Sequence, residues 1–200
     1  MAETDVIEVT FADHVISATV TSSGEAVEGW LAEVRSVHRR RLHSLVVGLD
    51  VEWRPSYSSD QNPVATLQLC VGRRCLIFQL LHADYFPGAL AEFLGEPAFR
   101  FVGVGVDADV ERLVEDHELQ VANAVDLRAL AADGMHRPEL RQAGLRALVA
   151  AVLGVNISKP QRVTMSRWDA SCLSYQQIRY ACIDAFVSFE IGRKLLTGDY

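Results

Sequence analysis

The order of the predicted elements indicates an α/β fold, in which a mixed sheet carries helices on both of its faces. Segments with the period-two hydrophobicity of strands dominate the first half of the 200 residues, and segments with helical periodicity dominate the second half. A strand–helix–strand–helix passage connects the two halves. Elements that alternate in this way form a sheet whose two faces are covered by helices.

The first half of the chain is predicted to be rich in strands. Residues 6–11 and 14–20 alternate as the two strands of a hairpin, with residues 12–13 as its turn. Residues 25–39 have the apolar spacing of an amphipathic helix. The further strands of this half are predicted at residues 45–53, 64–71 and 75–80.

The second half is predicted to be mostly helical. Pro87 stands in the first turn of the first of these helices, where proline loses no backbone donor. Ser174 is a good N-cap for the last helix, and Gln177 occupies its capping-box position. Strands are predicted at residues 99–104 and 124–127, and helices at residues 87–95, 107–117, 127–133, 138–153 and 174–197.

The composition indicates a single domain over residues 1–200. Half of the residues are hydrophobic and 22% are charged, which excludes a disordered or collagen-like chain. The 19 basic and 26 acidic residues give a net charge of −7, which argues against a generally basic nucleic-acid binder. Within the domain we expect an N-terminal hairpin and helix over residues 1–40 and the main core over residues 41–198.

The sequence predicts a soluble, intracellular protein that makes no contact with a membrane. Its longest apolar run, residues 147–155, is roughly half as long as a membrane-spanning helix. The first residues are acidic and lack the basic-then-apolar order of a signal peptide. The four cysteines form no CxxC pair and are expected to be reduced thiols, as in a reducing compartment.

Two carboxylates emerge at the carboxyl end of the strand predicted over residues 45–53. With a period of two, Asp50 and Glu52 share one face with Val46 and Gly48, and the opposite face is apolar. Ligands bind at the carboxyl ends of strands in open α/β sheets. Two like charges so close together repel, and a bound divalent cation removes this penalty. The alternative is that both acids lie at a solvated strand end.

The last predicted helix carries a third acid among apolar residues. Asp184 falls within the second apolar face of this helix, and Tyr180 is its neighbour one turn earlier. A buried carboxylate is costly unless another group satisfies it. Asp184 therefore belongs to a site, pairs with a basic side chain of the core, or caps a neighbouring backbone.

The strand predicted over residues 99–104 leads into a helix that starts beside two further acids, Asp107 and Asp109. Helical periodicity does not decide which of the two faces a site, and an acid at a helix start is usually an N-cap. The two glycines at 103 and 105 lack the third glycine of a dinucleotide site, and the sequence has no ATP-type phosphate loop. Nucleotide cofactors are therefore not expected.

Taken together, these segments resemble the motifs of the DEDDy exonucleases, above all those of the Werner syndrome-type 3′–5′ exonuclease domain. Motif one corresponds to residues 48–53, motif two to residues 103–109 and motif three to residues 180–185. The similarity extends over residues 45–195. The resemblance implies a ribonuclease H-like architecture with a five- or six-stranded mixed sheet, and it selects Asp109 as the acid of motif two.

The resemblance also implies a catalytic set and two divalent ions, Mg²⁺ or Mn²⁺. In such a site Asp50 bridges the ions, Glu52 and Asp184 complete the first ion's ligands, and Asp109 holds the second ion through water. Tyr180 orients or deprotonates the attacking water. Zinc is not expected, because all of these donors are oxygens.

Basic residues are concentrated in two acid-free stretches. Residues 34–49 carry four of them and residues 140–168 carry five, which suits contact with a polyanion close to an acidic site. The alternative for each stretch is an ordinary solvated helix face. Because residues 158–168 lead into the last helix, we expect Arg162 and Arg167 to contact a nucleic-acid backbone.

Three aromatic residues near the predicted site are candidates for stacking on terminal bases. Trp53 and Tyr57 follow the first acidic motif, and Trp168 precedes the last helix. Trp53 and Trp168 are equally suited to the core.

The leading hypothesis is a two-metal 3′–5′ exonuclease that acts on single-stranded or recessed-end DNA. The second candidate is RNA 3′-end trimming, as in the ribonuclease D group. A third is a non-catalytic nucleic-acid-binding adaptor of the same fold, against which the complete catalytic set argues. A glycosidase would place its two carboxylates on separate elements. No helicase fits within 200 residues, so unwinding would require a partner chain, and we expect a location in the nucleus or the cytoplasm.

Overall fold

A computed structural model describes residues 3–198, and within this range seven strands form one mixed sheet. The strands are β1 (Thr4–Phe11), β2 (His14–Thr21), β3 (Val46–Glu52), β4 (Thr66–Val71), β5 (Arg74–Gln79), β6 (Arg100–Gly103) and β7 (Ala124–Asp126). Their order across the sheet is β1-β2-β5-β4-β3-β6-β7. The pairs β1–β2, β3–β4 and β4–β5 are antiparallel, and the pairs β2–β5, β3–β6 and β6–β7 are parallel.

The mixed sheet confirms the predicted α/β class, but it has more strands than the predicted five or six. The difference lies at one edge, where β2 pairs in parallel with β5 from Ser17 opposite Arg74 to Thr21 opposite Phe78. This pairing adds both strands of the N-terminal hairpin to the sheet. The hairpin turn at residues 12–13 is where the sequence predicts it, and Ala12 adopts a positive φ of 48° there.

Seven α-helices and several shorter turns complete the described part of the chain. The helices are α1 (Gly24–Val37), α2 (Gly88–Leu94), α3 (Val106–His117), α4 (Leu127–Gly134), α5 (Leu145–Leu148), α6 (Gln161–Thr164) and α7 (Tyr175–Thr197). Shorter 3-10 turns occur at Leu42–Ser44, Leu80–His82 and Pro138–Gln142, and a π-type turn occurs at Val149–Leu153.

The helix predicted over residues 138–153 is wrong as one continuous element. After the 3-10 turn at Pro138–Gln142, Ala143 and Gly144 are extended, with ψ angles of 142° and 171°. Two extended residues interrupt the hydrogen bonds from residue i to i−4 that define an α-helix. The apolar residues of this segment are therefore distributed over a 3-10 turn, the short helix α5 and a π-type turn, instead of one helix.

Helices cover both faces of the sheet, as predicted. On one face α7 lies so close to β3 that a Cβ atom on Gly48 would come within 2.2 Å of the Ala185 carbonyl oxygen. On the other face α2 packs against β6, with the rings of Phe93 and Phe101 6.0 Å apart. The Arg35 guanidinium of α1 lies 5.6 Å from the centre of the Phe93 ring, so α1 belongs to the same layer as α2.

The sheet and its helices share one hydrophobic core. Val9 and Ile16 of the hairpin are as completely buried as Val47 in the central strand β3, and all belong to the same cluster. The four cysteines are free thiols, and Cys172 is the exposed one among them. Among the described residues, none of the helices has the length and apolar character needed to cross a membrane.

Candidate active site

Three carboxylates from two distant segments meet at the carboxyl end of β3. Asp50 and Glu52 project from β3, and Asp184 projects from α7. Each of the three offers one oxygen atom, and these oxygens lie within 4.8 Å of one another. The like charges that the sequence places on one strand face are therefore joined by a third charge from the last helix.

Local sequence explains why these acids face each other. Side chains alternate along β3, so Asp50 and Glu52 lie on the same face as Gly48, which contacts α7. The start of α7 is fixed by a capping box, in which the Ser174 hydroxyl accepts from the Gln177 amide and the Gln177 side chain accepts from the Ser174 amide. The helix then carries Asp184 to the level of the two acids of β3.

Burial makes the charges on these carboxylates costly, above all on Asp50 and Glu52. Glu52 is 8% exposed and Asp184 is 3% exposed. Asp50 Oδ2 is buried and has no hydrogen-bond partner in residues 3–198. Burial, reinforced by the neighbouring carboxylates, raises the pKa of both Asp50 and Glu52 well above their ordinary values. A positive charge placed among these acids would therefore be strongly stabilised.

The structure separates the two acids between which helical periodicity could not decide. Asp109 lies in the first turn of α3 and lines the same cavity as Asp50 and Glu52, whereas Asp107 is exposed. Burial raises the pKa of Asp109 to about 7, even though Arg112 opposes the shift. Asp109 stands outside the group of three acids whose oxygens lie within 4.8 Å of one another.

A cavity of about 350 Å³ opens over the acids. Trp53, Pro55 and Val104 line one part of it, and Thr164 and Met165 line another. This volume falls within the range of small-ligand pockets, and its walls are apolar apart from the acids, Thr164 and Lys159.

Lys159, which the sequence analysis did not single out as a site residue, forms an ion pair inside this cavity. Its Nζ atom lies 2.5 Å from Asp184 Oδ2 and 5.1 Å from the centre of the Tyr180 ring. Burial opposes the charge on Lys159, but the Asp184 and Asp50 carboxylates outweigh burial and raise its pKa. Asp184 therefore combines two of its predicted roles, since it belongs to the site and also pairs with a basic side chain.

Tyr180 lies beside this ion pair, one helical turn before Asp184. Its hydroxyl oxygen accepts a hydrogen bond of 3.0 Å from Thr164 Oγ1. Burial and the Asp184 charge raise the pKa of the Tyr180 hydroxyl. Tyr180 is therefore protonated at neutral pH, and its single proton is free to be donated, because the Thr164 bond uses the oxygen as an acceptor.

The predicted nucleic-acid contacts lie in different environments. Trp53 is partly buried at the cavity wall, and the Arg112 guanidinium stacks 4.2 Å from its ring centre. Trp168 is only 1% exposed, and its indole donates to the Thr164 carbonyl while its ring packs 5.8 Å from that of Tyr180. The structure therefore places Trp168 in the core, where it supports Tyr180 and presents no face to a base. Tyr57 is 95% exposed.

The basic residues before α7 lie at the surface next to the acids. Arg162 and Arg167 are both exposed, and Arg167 lies 3.6 Å from Asp169. A second cavity, of about 190 Å³, borders Tyr180 and Asp184 and is lined by Arg162 and Arg179. Arg179 was not predicted; its position one residue before Tyr180 is the signal that could have identified it.

One side chain joins this basic surface to the helix that carries Asp184. The Gln177 amide nitrogen donates to Ser166 Oγ at 3.0 Å and to the Arg167 carbonyl at 3.2 Å. The same side chain accepts from the amide of Ser174, the N-cap of α7. The segment before α7 is thus held in place by the first turn of the helix.

The donor set fits a hard divalent cation. Carboxylate oxygens are the preferred ligands of Mg²⁺ and Mn²⁺, and three of them converge here. The unpartnered Asp50 Oδ2 is a buried acceptor that a cation would satisfy. Among the residues described, no other group of His, Cys, Asp and Glu side chains converges in this way.

Comparison with known sequences supports this interpretation of the acids. Residues 20–197 match the family profile described as 3′-5′ exonuclease. A 3′-5′ exonuclease of Arabidopsis thaliana is 32% identical over 168 residues, which cover 82% of this chain and 57% of the relative. The mouse bifunctional 3′-5′ exonuclease/ATP-dependent helicase WRN is 32% identical over 152 residues, 75% of this chain and 11% of the relative. The chain thus spans little more than half of the first relative and a small part of the second.

Solved structures show the same architecture. Escherichia coli RNase D superposes with a TM-score of 0.73 over 89% of this chain and 44% of its own, at 20% identity, which shows a shared fold. The EXD2 exonuclease domain soaked in Mn superposes with a TM-score of 0.53 at 26% identity, covering 90% of this chain and 89% of that domain. The ribonuclease H-like architecture that the resemblance implied is thereby confirmed.

Proposed function

Because this chain belongs to the 3′-5′ exonuclease family, we propose that it removes nucleotides from the 3′ ends of nucleic acids by metal-dependent hydrolysis, with DNA as the favoured substrate. The observation that carries the proposal is the convergence of Asp50, Glu52 and Asp184 within 4.8 Å, in a cavity that Asp109 also lines. A non-catalytic adaptor would have no need for three buried acids whose mutual repulsion is costly.

The acids are the proposed ligands of two Mg²⁺ or Mn²⁺ ions. Asp50, Glu52 and Asp184 would hold the first, because their oxygens already face one another. Asp50 would also contribute to holding the second ion, together with Asp109, which would act through water. When bound, such ions supply Lewis-acid stabilisation of the charge that develops on the attacking and leaving oxygens.

Tyr180 is the proposed positioning group for the attacking water. Its raised pKa keeps the hydroxyl protonated, so Tyr180 can orient the water by donating a hydrogen bond. Thr164 fixes the direction of this donation by occupying the acceptor side of the Tyr180 oxygen. Trp168 packs behind the Tyr180 ring and limits its movement.

The substrate strand is proposed to approach over the basic surface before α7. Arg162 and Arg179 line the cavity that borders the catalytic residues, and exposed guanidinium groups bind phosphates through paired donors. Arg167 lies nearby on the same segment. Trp53 at the cavity wall is the proposed stacking surface for the terminal base. A single strand or a recessed end suits this approach, because a 3′ terminus must enter a cavity of limited volume.

The proposed setting of this activity is intracellular. The mouse relative joins an exonuclease to a helicase in one polypeptide by name, so we propose that duplex unwinding is supplied to this chain by a separate helicase. We propose that this chain is located in the nucleus or the cytoplasm, because free thiols persist in such reducing compartments.

The test uses matched DNA and RNA oligonucleotides labelled at the 3′ or the 5′ end. The expected result is a ladder of 5′-labelled products that shorten from the 3′ end in Mg²⁺ or Mn²⁺ and vanish in EDTA, with DNA degraded faster than RNA. Binding of the oligonucleotides without cleavage in either metal would contradict the proposal and favour the adaptor. Faster cleavage of RNA would instead favour the second candidate function, RNA 3′-end trimming.

A further inference from the structure

Lys159 contributes a positive charge to the wall of the acidic cavity. Among the described residues, those that line this cavity include four acids, Asp50, Glu52, Asp109 and Asp184, and no basic side chain other than Lys159. Lysine is also rare in this protein, since the sequence contains two lysines, Lys159 and Lys194. Lys194 lies in the last turn of α7, where its ammonium is 3.4 Å from the Val152 carbonyl oxygen.

The position of the Lys159 ammonium is set from two sides. Its Nζ atom contacts Asp184 Oδ2 at 2.5 Å and lies 5.1 Å from the centre of the Tyr180 ring, whose face attracts cations. The Asp184 side chain is almost fully buried, whereas about a third of the Lys159 side chain remains exposed. The lysine therefore reaches into the cavity from the solvent side.

This contact neutralises the most deeply buried acid of the site. A buried carboxylate that loses its only counter-charge strongly destabilises a fold. Asp50 Oδ2, in contrast, has no hydrogen-bond partner within residues 3–198. The ammonium group thus pairs with one acid of the group, whereas a divalent ion would contact several of these acids at once.

We propose that Lys159 is a tethered counter-ion, which holds Asp184 in place when no divalent ion is bound and weakens ion binding by competing for the same carboxylate. The inference rests on the ion site of the proposed function. An ion that uses Asp184 must either displace the ammonium from Oδ2 or lie beside a positive charge, and both alternatives lower its affinity. The adjacent cavity, lined by Ser158 and Pro160, leaves room for the segment to shift.

The proposal makes two opposite predictions for Lys159→Met. Without divalent ions the variant is less stable than the unaltered chain, because Asp184 loses its counter-charge. It binds Mn²⁺ more tightly, by about tenfold or more, because the competing charge is gone. A residue that only packs against the site would lower stability and leave the affinity for Mn²⁺ unchanged or reduced.

The experiment measures Mn²⁺ affinity by calorimetry and the thermal midpoint in EDTA for the full chain. Lys159→Arg is expected to keep the weak affinity, because it retains the charge, and Lys194→Met is the matched control that changes neither property. If Lys159→Met folds poorly, Lys159→Gln is measured in its place. If either variant folds only when Mn²⁺ is present, that result supports the proposal. Equal or weaker Mn²⁺ binding by the Met and Gln variants overturns it. If the unaltered chain itself binds no Mn²⁺ or Mg²⁺, the ion site of the proposed function fails as well.

Discussion

The contact between β3 and α7 has two halves that differ in chemistry although they belong to the same pair of elements. In the first half, called the apolar half here, Gly48 lets the backbone of α7 approach the strand directly. In the second half, two residues further along, Asp50 and Glu52 face Asp184 across a cavity. The apolar half fixes the distance between the strand and the helix. In the second half, called the acidic half here, that fixed distance holds the like charges together.

This difference explains how the protein supports an arrangement that is unfavourable in itself. Three buried carboxylates repel one another, and they would move apart if their backbones were free to move. The apolar half removes that freedom, because protein interiors resist small displacements. Changes to the acidic half should therefore alter chemistry more than stability, and changes to the apolar half should do the reverse.

The largest expected effect is in the acidic half. Asp50→Asn should lower the rate of hydrolysis by more than about 100-fold. Changing even a residue that only hydrogen-bonds to a metal ligand typically lowers metal affinity or activity by about 10–100-fold. The ion-free variant should melt at a higher temperature, because one of several repelling charges is gone. Rate assays and thermal melts in EDTA test both statements. Asp107→Asn, which alters an exposed acid, is the control and should retain activity. An Asp50→Asn protein with full activity would contradict the ligand role.

The next effect is in the apolar half. In Gly48→Ala the new methyl group would meet the Ala185 carbonyl oxygen at 2.2 Å and the Phe189 amide nitrogen at 2.8 Å. Because both are backbone atoms, α7 must move, at a cost of roughly 1–3 kcal/mol. Denaturant unfolding should show this loss. The comparison is Gly29→Ala in α1, where nothing lies within 4 Å and a gain of about 1 kcal/mol is expected. Equal effects of the two changes would refute the argument.

Dependence on pH sharpens the contrast further. The raised pKa values of Asp50, Glu52 and Asp109, the last at about 7, mean that the folded protein holds protons which the unfolded chain releases. The stability that these protons contribute is fully present below the pKa values of the unfolded chain, about 4, and is lost as the pH rises through the pKa values of the folded protein. In EDTA the melting temperature should therefore fall between pH 5 and 8, by roughly a few degrees.

Two comparisons test the origin of that fall. Asp109→Asn should flatten the pH profile, since it removes one of the groups that release a proton. Added Mn²⁺ should reverse the trend, because metal ligands must be deprotonated and the gain in stability therefore grows with pH. A profile in EDTA that is unaffected by Asp109→Asn would show that Asp109 does not contribute to the pH dependence.

The smallest effect is expected at the edge of the acidic half. Thr164→Val removes the hydrogen bond to the Tyr180 hydroxyl, which is worth about 1 kcal/mol, or roughly fivefold in rate. The turnover number should fall while the Michaelis constant stays nearly constant, because the change affects the direction of the Tyr180 proton. Thr197→Val at the far end of α7 is a control that should leave both constants unchanged. A change in the Michaelis constant alone would assign Thr164 to substrate binding.

The parts of the site that follow from local patterns could be predicted from the sequence. Alternation along β3 places Asp50 and Glu52 on one face, and the Ser174 cap sets the helical phase of Asp184. Lys159 could not be predicted in the same way, because it lies in a segment without periodicity and pairs with a residue 25 positions later. Its rarity as one of two lysines was the available signal.

The fold shows the same limit. The strands of the N-terminal hairpin were evident from alternation, but their parallel pairing with β5 joins segments more than fifty residues apart and adds strands beyond the expected number. The break at Gly144 was hidden because apolar residues continue at helical spacing on both sides of it. Trp168 was ambiguous as a large aromatic beside a site, and only its burial decided between the two roles.

The bonds of the Gln177 side chain have a consequence for motion. One amide joins Ser166 and Arg167, on the segment that carries Lys159 and Arg162, to the N-cap of the helix that carries Asp184. The basic surface before α7 and Asp184, a proposed metal ligand, are therefore expected to move as one rigid unit. In hydrogen-exchange experiments, the amides around residue 166 and those of the first turn of α7 should lose their protection together.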